Sequence, residues 1–121
     1  MAVAKAQIAT LSYDSAPYRI SSVIIDEALM DKADLAEYEK VLICNVTNGN
    51  RRETYALPGE YGSGVVSVQG AGARLYYVGD CLIILSIVVT DYLVEPRMIL
   101  VDDRNKFVEY IKGAKHEQPL F

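Results

Sequence analysis

Histidine occurs once, as His116, and cysteine twice, as Cys44 and Cys81, which are far apart and show no paired ligand spacing. This scarcity removes the common zinc and transition-metal constellations, and no metal cofactor is expected. Basic residues are sparse and scattered: 12 Lys and Arg face 16 Asp and Glu, the net charge is −4, and the longest basic run is the pair Arg51 and Arg52. Nucleic acid and anionic membrane surfaces are therefore not expected partners. Long apolar runs are missing as well. The longest, 81–89 (CLIILSIVV), is about half of the roughly 20 residues a membrane helix needs, and the first 15 residues hold no continuous apolar signal core. A soluble, cytoplasmic protein is the expectation. Internal repeats, linkers and low-complexity segments are absent, so residues 1–121 read as one domain. The glycine-containing stretches do not match a phosphate cradle, because 59–64 lacks a following Lys-Ser/Thr and 70–73 does not open a long helix.

What is present favours strands. At 121 residues and 51% hydrophobic content, the chain can bury about two thirds of its unfolded surface without staples. Both cysteines lie in apolar segments, which predicts reduced core thiols. Segments 5–13 (KAQIATLSY) and 18–25 (YRISSVII) read as strands, with Ser21 and Ser22 as outward polar residues. Asp26 then caps a short helix over 27–33, with Leu29 and Met30 turned inward. Segment 41–46 leads into Asn48-Gly49, which predicts a type I′ hairpin, and the strand returns over 51–57. Further strands are expected at 65–69, 81–89, 97–101 and 107–111, with a helical turn from Gly70 to Tyr77 and polar turns at 79–80 and 102–106. Seven or eight short strands with little helix indicate a mainly β, closed-barrel architecture.

A set of polar residues stands beside these strands: Lys5, Tyr18, Ser21, Arg51, Thr54 and Tyr55. Singly, each has a bland reading as a solvated charge, a half-buried aromatic or an outward hydroxyl. In combination the chain resembles the pyruvoyl-dependent aspartate 1-decarboxylases. The resemblance is carried by 45–55 (NVTNGNRRETY), followed at the right intervals by Gly62-Ser63, by 67–71 (SVQGA), by Val78-Gly79-Asp80 and by the C-terminal ILVDDRNKFVEYI, and it covers nearly the whole chain.

The resemblance implies a double-ψ β-barrel with short helices, a homotetramer with sites where subunits meet, and a cofactor made from the chain itself. Cleavage between Ile20 and Ser21 would give a β chain of residues 1–20 and an α chain of residues 21–121, with a pyruvoyl group derived from Ser21. The logic of such a group is general: decarboxylation leaves a carbanion, no side chain is an electron sink, and a keto group joined to the substrate amine as a Schiff base supplies one. By the same resemblance, Lys5 and Arg51 bind carboxylate, with Gly70 and Ala71 lining the substrate site. Tyr55 returns the proton, and Ile20, Thr54 and Gln69 belong to maturation. A guanidinium suits a planar carboxylate, and a tyrosine can donate a proton inside a largely apolar site.

The chain departs from the family pattern near the chemistry. Ile20 stands where the family has glycine before the cut, and a branched residue in the positive-φ region is penalised by at least ~1 to 2 kcal/mol. Gln7, Cys44 and Gln69 replace a histidine, a tryptophan and an asparagine, and Arg19 adds a cation. Three functions follow as expectations. The first is a lyase converting L-aspartate to β-alanine and CO2, with a maturation factor as a possible partner. The second is an uncleaved homologue that uses Arg51, Tyr55 and Lys5 for acid/base chemistry on another carboxylate, such as elimination, isomerisation or cyclisation. The third is a ligand-binding or assembly subunit that forms tetramers and binds carboxylate without turnover.

Overall fold

The computed structural model describes residues 2–10 and 22–111, with 2–10 and Ala71 described by their backbone alone. The chain is mainly β. Its strands are β1 (Ala2–Thr10), β2 (Val23–Asp26), β3 (Lys40–Asn45), β4 (Arg51–Gly59), β5 (Val66–Val68), β6 (Cys81–Val89), β7 (Met98–Val101) and β8 (Phe107–Tyr110). A helix α1 (Glu27–Ala33) follows β2, and a 3-10 helix spans Gly70–Leu75. The eight strands form one sheet in the order β5-β2-β4-β3-β6-β1-β7-β8. Two pairings are parallel, β2 with β4 and β1 with β7, and the others are antiparallel. The sheet curls around one core that draws Ile25 from β2, Val41 and Ile43 from β3, Val66 from β5, Leu82 and Ile84 from β6 and Ile99 from β7. Its two end strands are bridged through their loops, where the buried Asn105 Nδ2 donates to the Gly64 carbonyl at 2.9 Å.

Alternation explains which residues enter that core. In β3, Val41, Ile43 and Asn45 are buried while Leu42 and Cys44 are only half-buried, and β6 repeats the pattern with Leu82, Ile84 and Ser86 inside. Strand parity therefore corrects the expectation for the thiols. Cys44 is half-buried and Cys81 exposed, and both are free, because each takes the parity opposite to the buried set.

The helix runs over the predicted 27–33, with Leu29, Met30 and Ala33 buried. Its cap has a wider task. The Asp26 carboxylate accepts from the N–H groups of Ala28 (2.8 Å), Gly62 (2.8 Å) and Gly64 (2.7 Å), so one buried side chain starts the helix and folds the β4–β5 loop. The predicted type I′ hairpin is replaced by a longer turn. Gly49 has φ +82 but Asn48 is not in the positive-φ region, and the Gly49 N–H reaches back to the Asn45 carbonyl at 2.7 Å. Side chains decide this: Asn45 Oδ1 accepts from Thr47 N–H and Asn48 Oδ1 from Asn50 N–H, each closing a local turn that a two-residue hairpin lacks. The expected strand over 18–25 begins at Val23 among the described residues, and the expected start of that segment lies outside them.

Candidate functional site

Strand β4 delivers the candidate residues to both sides of the sheet. Ala56 is fully buried, which sets Thr54 and Arg52 on the core-facing parity, whereas Arg51, Glu53 and Tyr55 take the opposite one and are exposed. Arg51 pairs across the ladder with Cys44, and Tyr55 with Lys40. The Tyr55 ring lies 6.2 Å from that of Tyr38, tilted by 46°. Lys40 pairs with Glu53 at 2.8 Å, but both side chains are well exposed and the bridge contributes little. At about 3.3 Å per residue, Arg51 and Tyr55 stand roughly 13 Å apart along the strand, further than the span of one small dicarboxylate.

The asparagine-rich run that precedes Arg51 is structural. Asn45 Nδ2 donates to the Leu75 carbonyl at 3.2 Å and to Asp80 Oδ2 at 2.7 Å, and that Asp80 oxygen accepts from Tyr77 N–H at 2.8 Å. The amides of Asn48 and Asn50 also reach the Leu75 carbonyl, at 3.4 and 3.5 Å. This network fixes the end of the 3-10 helix against the β3–β4 turn. At its start Gly70 adopts φ +76, and Gly72 lies so close under Arg52 that a Cβ there would collide with the arginine stem. Arg52, which the sequence did not single out, is thus the arginine packed on this helix. Tyr76 closes the network, donating its hydroxyl to the Ile43 carbonyl at 2.9 Å. Burial pushes its phenol up to about 12, Cys44 adds to the rise, and Arg52 opposes it.

A second polar cluster lies beside β2. Gln69 is buried, its N–H donates to the Ser22 carbonyl at 2.8 Å, and its Nε2 donates to Ser67 Oγ at 2.8 Å. Ser22 was expected to face outward, yet it is 1% exposed, because β2 is held between β4 and β5 and the ladder continues through Ser22 to Gln69. Its Oγ is the one buried side-chain oxygen or nitrogen among the described residues with no hydrogen-bond partner. Such an orphan costs about 1–3 kcal/mol. In the parallel ladder Val23 pairs with Ala56, and one residue before that pair stand Ser22 and Tyr55.

The backbone of Lys5 lies opposite Ser86, and that of Gln7 opposite Ile84 and beside Ile99. Ser86 is buried and donates to the Glu39 carboxylate, which also accepts from Ala36 N–H at 2.9 Å. Neither residue was expected at a site. The one available signal was Ser86 as the lone polar residue in an apolar run. Ser21 and Ile20, with Tyr18 and Arg19, lie outside the described residues, as does His116. The structure thus brings Ser22, Gln69, Gly70 and the strand of Thr54 and Tyr55 to one region, with Lys5 opposite Ser86 on another pair of strands. Among the described residues no group of three His, Cys, Asp or Glu could hold a metal, and no helix is long and apolar enough to cross a membrane.

Fold and site together define a small mainly β protein whose polar residues gather where β2, β4, β5 and the 3-10 helix meet. The model of the family described as aspartate decarboxylase matches residues 1–108. An aspartate 1-decarboxylase of Chromobacterium violaceum is 46% identical over 104 residues, covering 83% of this chain and 82% of its own. One from Acetivibrio thermocellus is 42% identical over 101 residues, 80% of each chain, and one from Pelotomaculum thermopropionicum is 41% identical over 120 residues, 96% of this chain and 90% of its own. The chain belongs to the aspartate decarboxylase family.

Proposed function

We propose that the protein is a lyase that removes the α-carboxylate of L-aspartate to give β-alanine, the precursor used in pantothenate synthesis, after cutting its own chain before Ser21. The observation that carries the reading is the near full-length family match, and Lys5, Ser21, Arg51, Thr54 and Tyr55 are residue types that the chemistry can use. In the cut, Ser21 Oγ attacks the Ile20 carbonyl carbon, the C–N bond breaks, and the nitrogen takes the hydroxyl proton, leaving an ester. Loss of the Ser21 α-proton expels the Ile20 carboxylate, and water then replaces the nitrogen, which leaves as ammonia. Thr54 assists by orienting the Ile20 carbonyl under attack. The keto group so formed supplies the electron sink for decarboxylation.

Around that group the chain's own residues bind and move protons. Arg51 presents a fork of N–H donors to a carboxylate, Lys5 adds a point charge, and Tyr55 donates a proton from its hydroxyl to the carbon left by CO2. Gly70 and Ala71 line the substrate site. The neighbourhood fits the group: position 21 is followed directly by a buried hydroxyl with no partner, and Gln69 N–H fixes the next carbonyl. The exposure of Arg51 and Tyr55, and their spacing along one strand, supports a site completed by a second copy of the chain in a homotetramer.

Intact mass spectrometry of warmed protein, with a β-alanine assay on the same sample, tests the reading. Fragments of residues 1–20 and 21–121 with product formation are expected. An unbroken chain that makes no β-alanine overturns it. Ile20 favours one second reading, a homologue that stays uncleaved and uses Arg51 and Tyr55 for acid/base chemistry on another carboxylate. Undiminished turnover by Ser21→Ala would select that alternative.

A further inference from the structure

Among the described residues, three other than glycine have positive φ: Asp34 at 59, Asn105 at 59 and Tyr38 at 69. Asp and Asn suit that region, because a short polar side chain can bond locally there, and Asp34 uses it to end α1. Tyr38 does not suit it. A bulky aromatic in the left-handed region is strained, and such strain persists where surrounding bonds fix it and gathers where a protein acts. The bonds in question run to β4. Tyr38 N–H donates to the Ala56 carbonyl at 2.7 Å, and Ala56 N–H donates to the Glu39 carbonyl at 2.9 Å. Burial does not explain the ring, which is 68% exposed. Its aromatic contact is Tyr55, the residue just before Ala56, with centroids 6.2 Å apart, inside the range over which aromatic pairs attract.

We propose that Tyr38 is a positioning residue for Tyr55, its ring held on the open side of β4 by a strained backbone so that the Tyr55 hydroxyl keeps one place. The assignment rests on the reading of Tyr55 as proton donor and adds the group that orients it. On the face of β4 that carries Tyr55, the cross-strand neighbour Lys40 and the same-strand neighbour Glu53 have well-exposed side chains that pair with each other. Flexible charged chains of this kind do not confine a phenol ring. Proton transfer tolerates little displacement, since a misplacement of about 1 Å can lose about a hundredfold in rate, so a rigid neighbour is needed. The Tyr38 ring is that neighbour. Asparagine at position 38 would accept the same backbone with less strain and lack the ring, so stability and turnover should respond in opposite directions.

The test compares the parent, Tyr38→Asn, Tyr38→Phe and Tyr55→Phe, with Tyr38→Asn also placed in the Tyr55→Phe background. Steady-state β-alanine formation and melting temperature are measured for each, with NMR of isotope-labelled tyrosine rings, in which the Tyr55 signals are those missing from Tyr55→Phe. Expected for Tyr38→Asn is a melting temperature at or above the parent's, KM nearly unchanged, kcat lowered by about tenfold or more, and Tyr55 signals shifted toward those of a mobile ring. Tyr38→Phe keeps the ring and should retain the parental values. In the Tyr55→Phe background Tyr38→Asn should produce no further loss, because no hydroxyl remains to be oriented. Parental kcat in Tyr38→Asn, an equal loss in both backgrounds, or a Tyr38→Asn that melts below the parent overturns the proposal and leaves the decarboxylase reading standing. A parent that forms no β-alanine overturns both.

Discussion

Arg51 and Tyr55 share a strand and a face, but a substitution at each removes something different. Tyr55→Phe keeps the ring that packs 6.2 Å from Tyr38 and deletes only the hydroxyl, which the proposed reaction uses as its proton donor. General acids of this kind contribute about 10²–10⁴-fold, so kcat should fall by about that factor with aspartate binding nearly unchanged. Arg51→Ala should act mainly on KM, and Arg51→Lys should recover little, because a point charge does not replace a planar fork. Steady-state kinetics beside calorimetric titration of the cleaved variants separates the two effects. If Tyr55→Phe lost binding and turnover together, its assignment as proton donor would fall. The roles proposed for Arg51 and Tyr55 were legible only through the family resemblance, since singly they read as a solvated charge and a half-buried strand aromatic. The burial of Ser22 was not legible: its letter reads as an outward hydroxyl in a strand, and only the ladder to Gln69 shows it buried.

At the scale of elements, the 3-10 helix is held by Asn45, Asn48, Asn50 and Tyr76, residues that span the β3–β4 turn and the helix exit. Tyr76 makes this attachment sensitive to base. Its folded pKa of about 12 lies above its ordinary value of 10.0, so the native state holds the proton more tightly than the unfolded chain. The resulting stabilisation is complete below pH 10 and fades as pH rises toward 12, by about 2–3 kcal/mol in all. Denaturant melts across that range should show the loss in the parent. Tyr76→Phe should be less stable near neutrality, for want of the bond to the Ile43 carbonyl, and should lose much less between pH 10 and 12. An equal alkaline loss in both proteins would show that another group is responsible. Helix α1 and β6 followed the sequence pattern to the residue because strong apolar periodicity and a capping aspartate specify them locally. The β3–β4 turn departed from it because the asparagine side chains, bonding to a carbonyl and a carboxylate some thirty residues away, outweighed the intrinsic preference of Asn-Gly.

For the molecule as a whole, the loops at the two ends of the sheet matter most. Gly64 has φ +74, and a Cβ there would run into the backbone oxygen of Arg104, while its own carbonyl receives the Asn105 amide. Gly64→Ala therefore combines a disfavoured conformation with a backbone collision, and should destabilise the protein by about 2–4 kcal/mol. Asn105→Ala should lower stability by about 1–3 kcal/mol, and the double variant by less than the sum, since both break one contact. Urea unfolding of the three variants measures this, and simple additivity would mean that the bridge does not couple the two ends. The sequence alone indicated seven or eight short strands and the helix over 27–33, because these depend on periodicity and capping within short windows. Tertiary structure decided which face each residue of β4 takes, which polar groups are buried, and that a hydroxyl beside position 21 is left without a partner. Those depend on register between strands far apart in the chain, where moving a strand by one residue would turn every side chain to the other face.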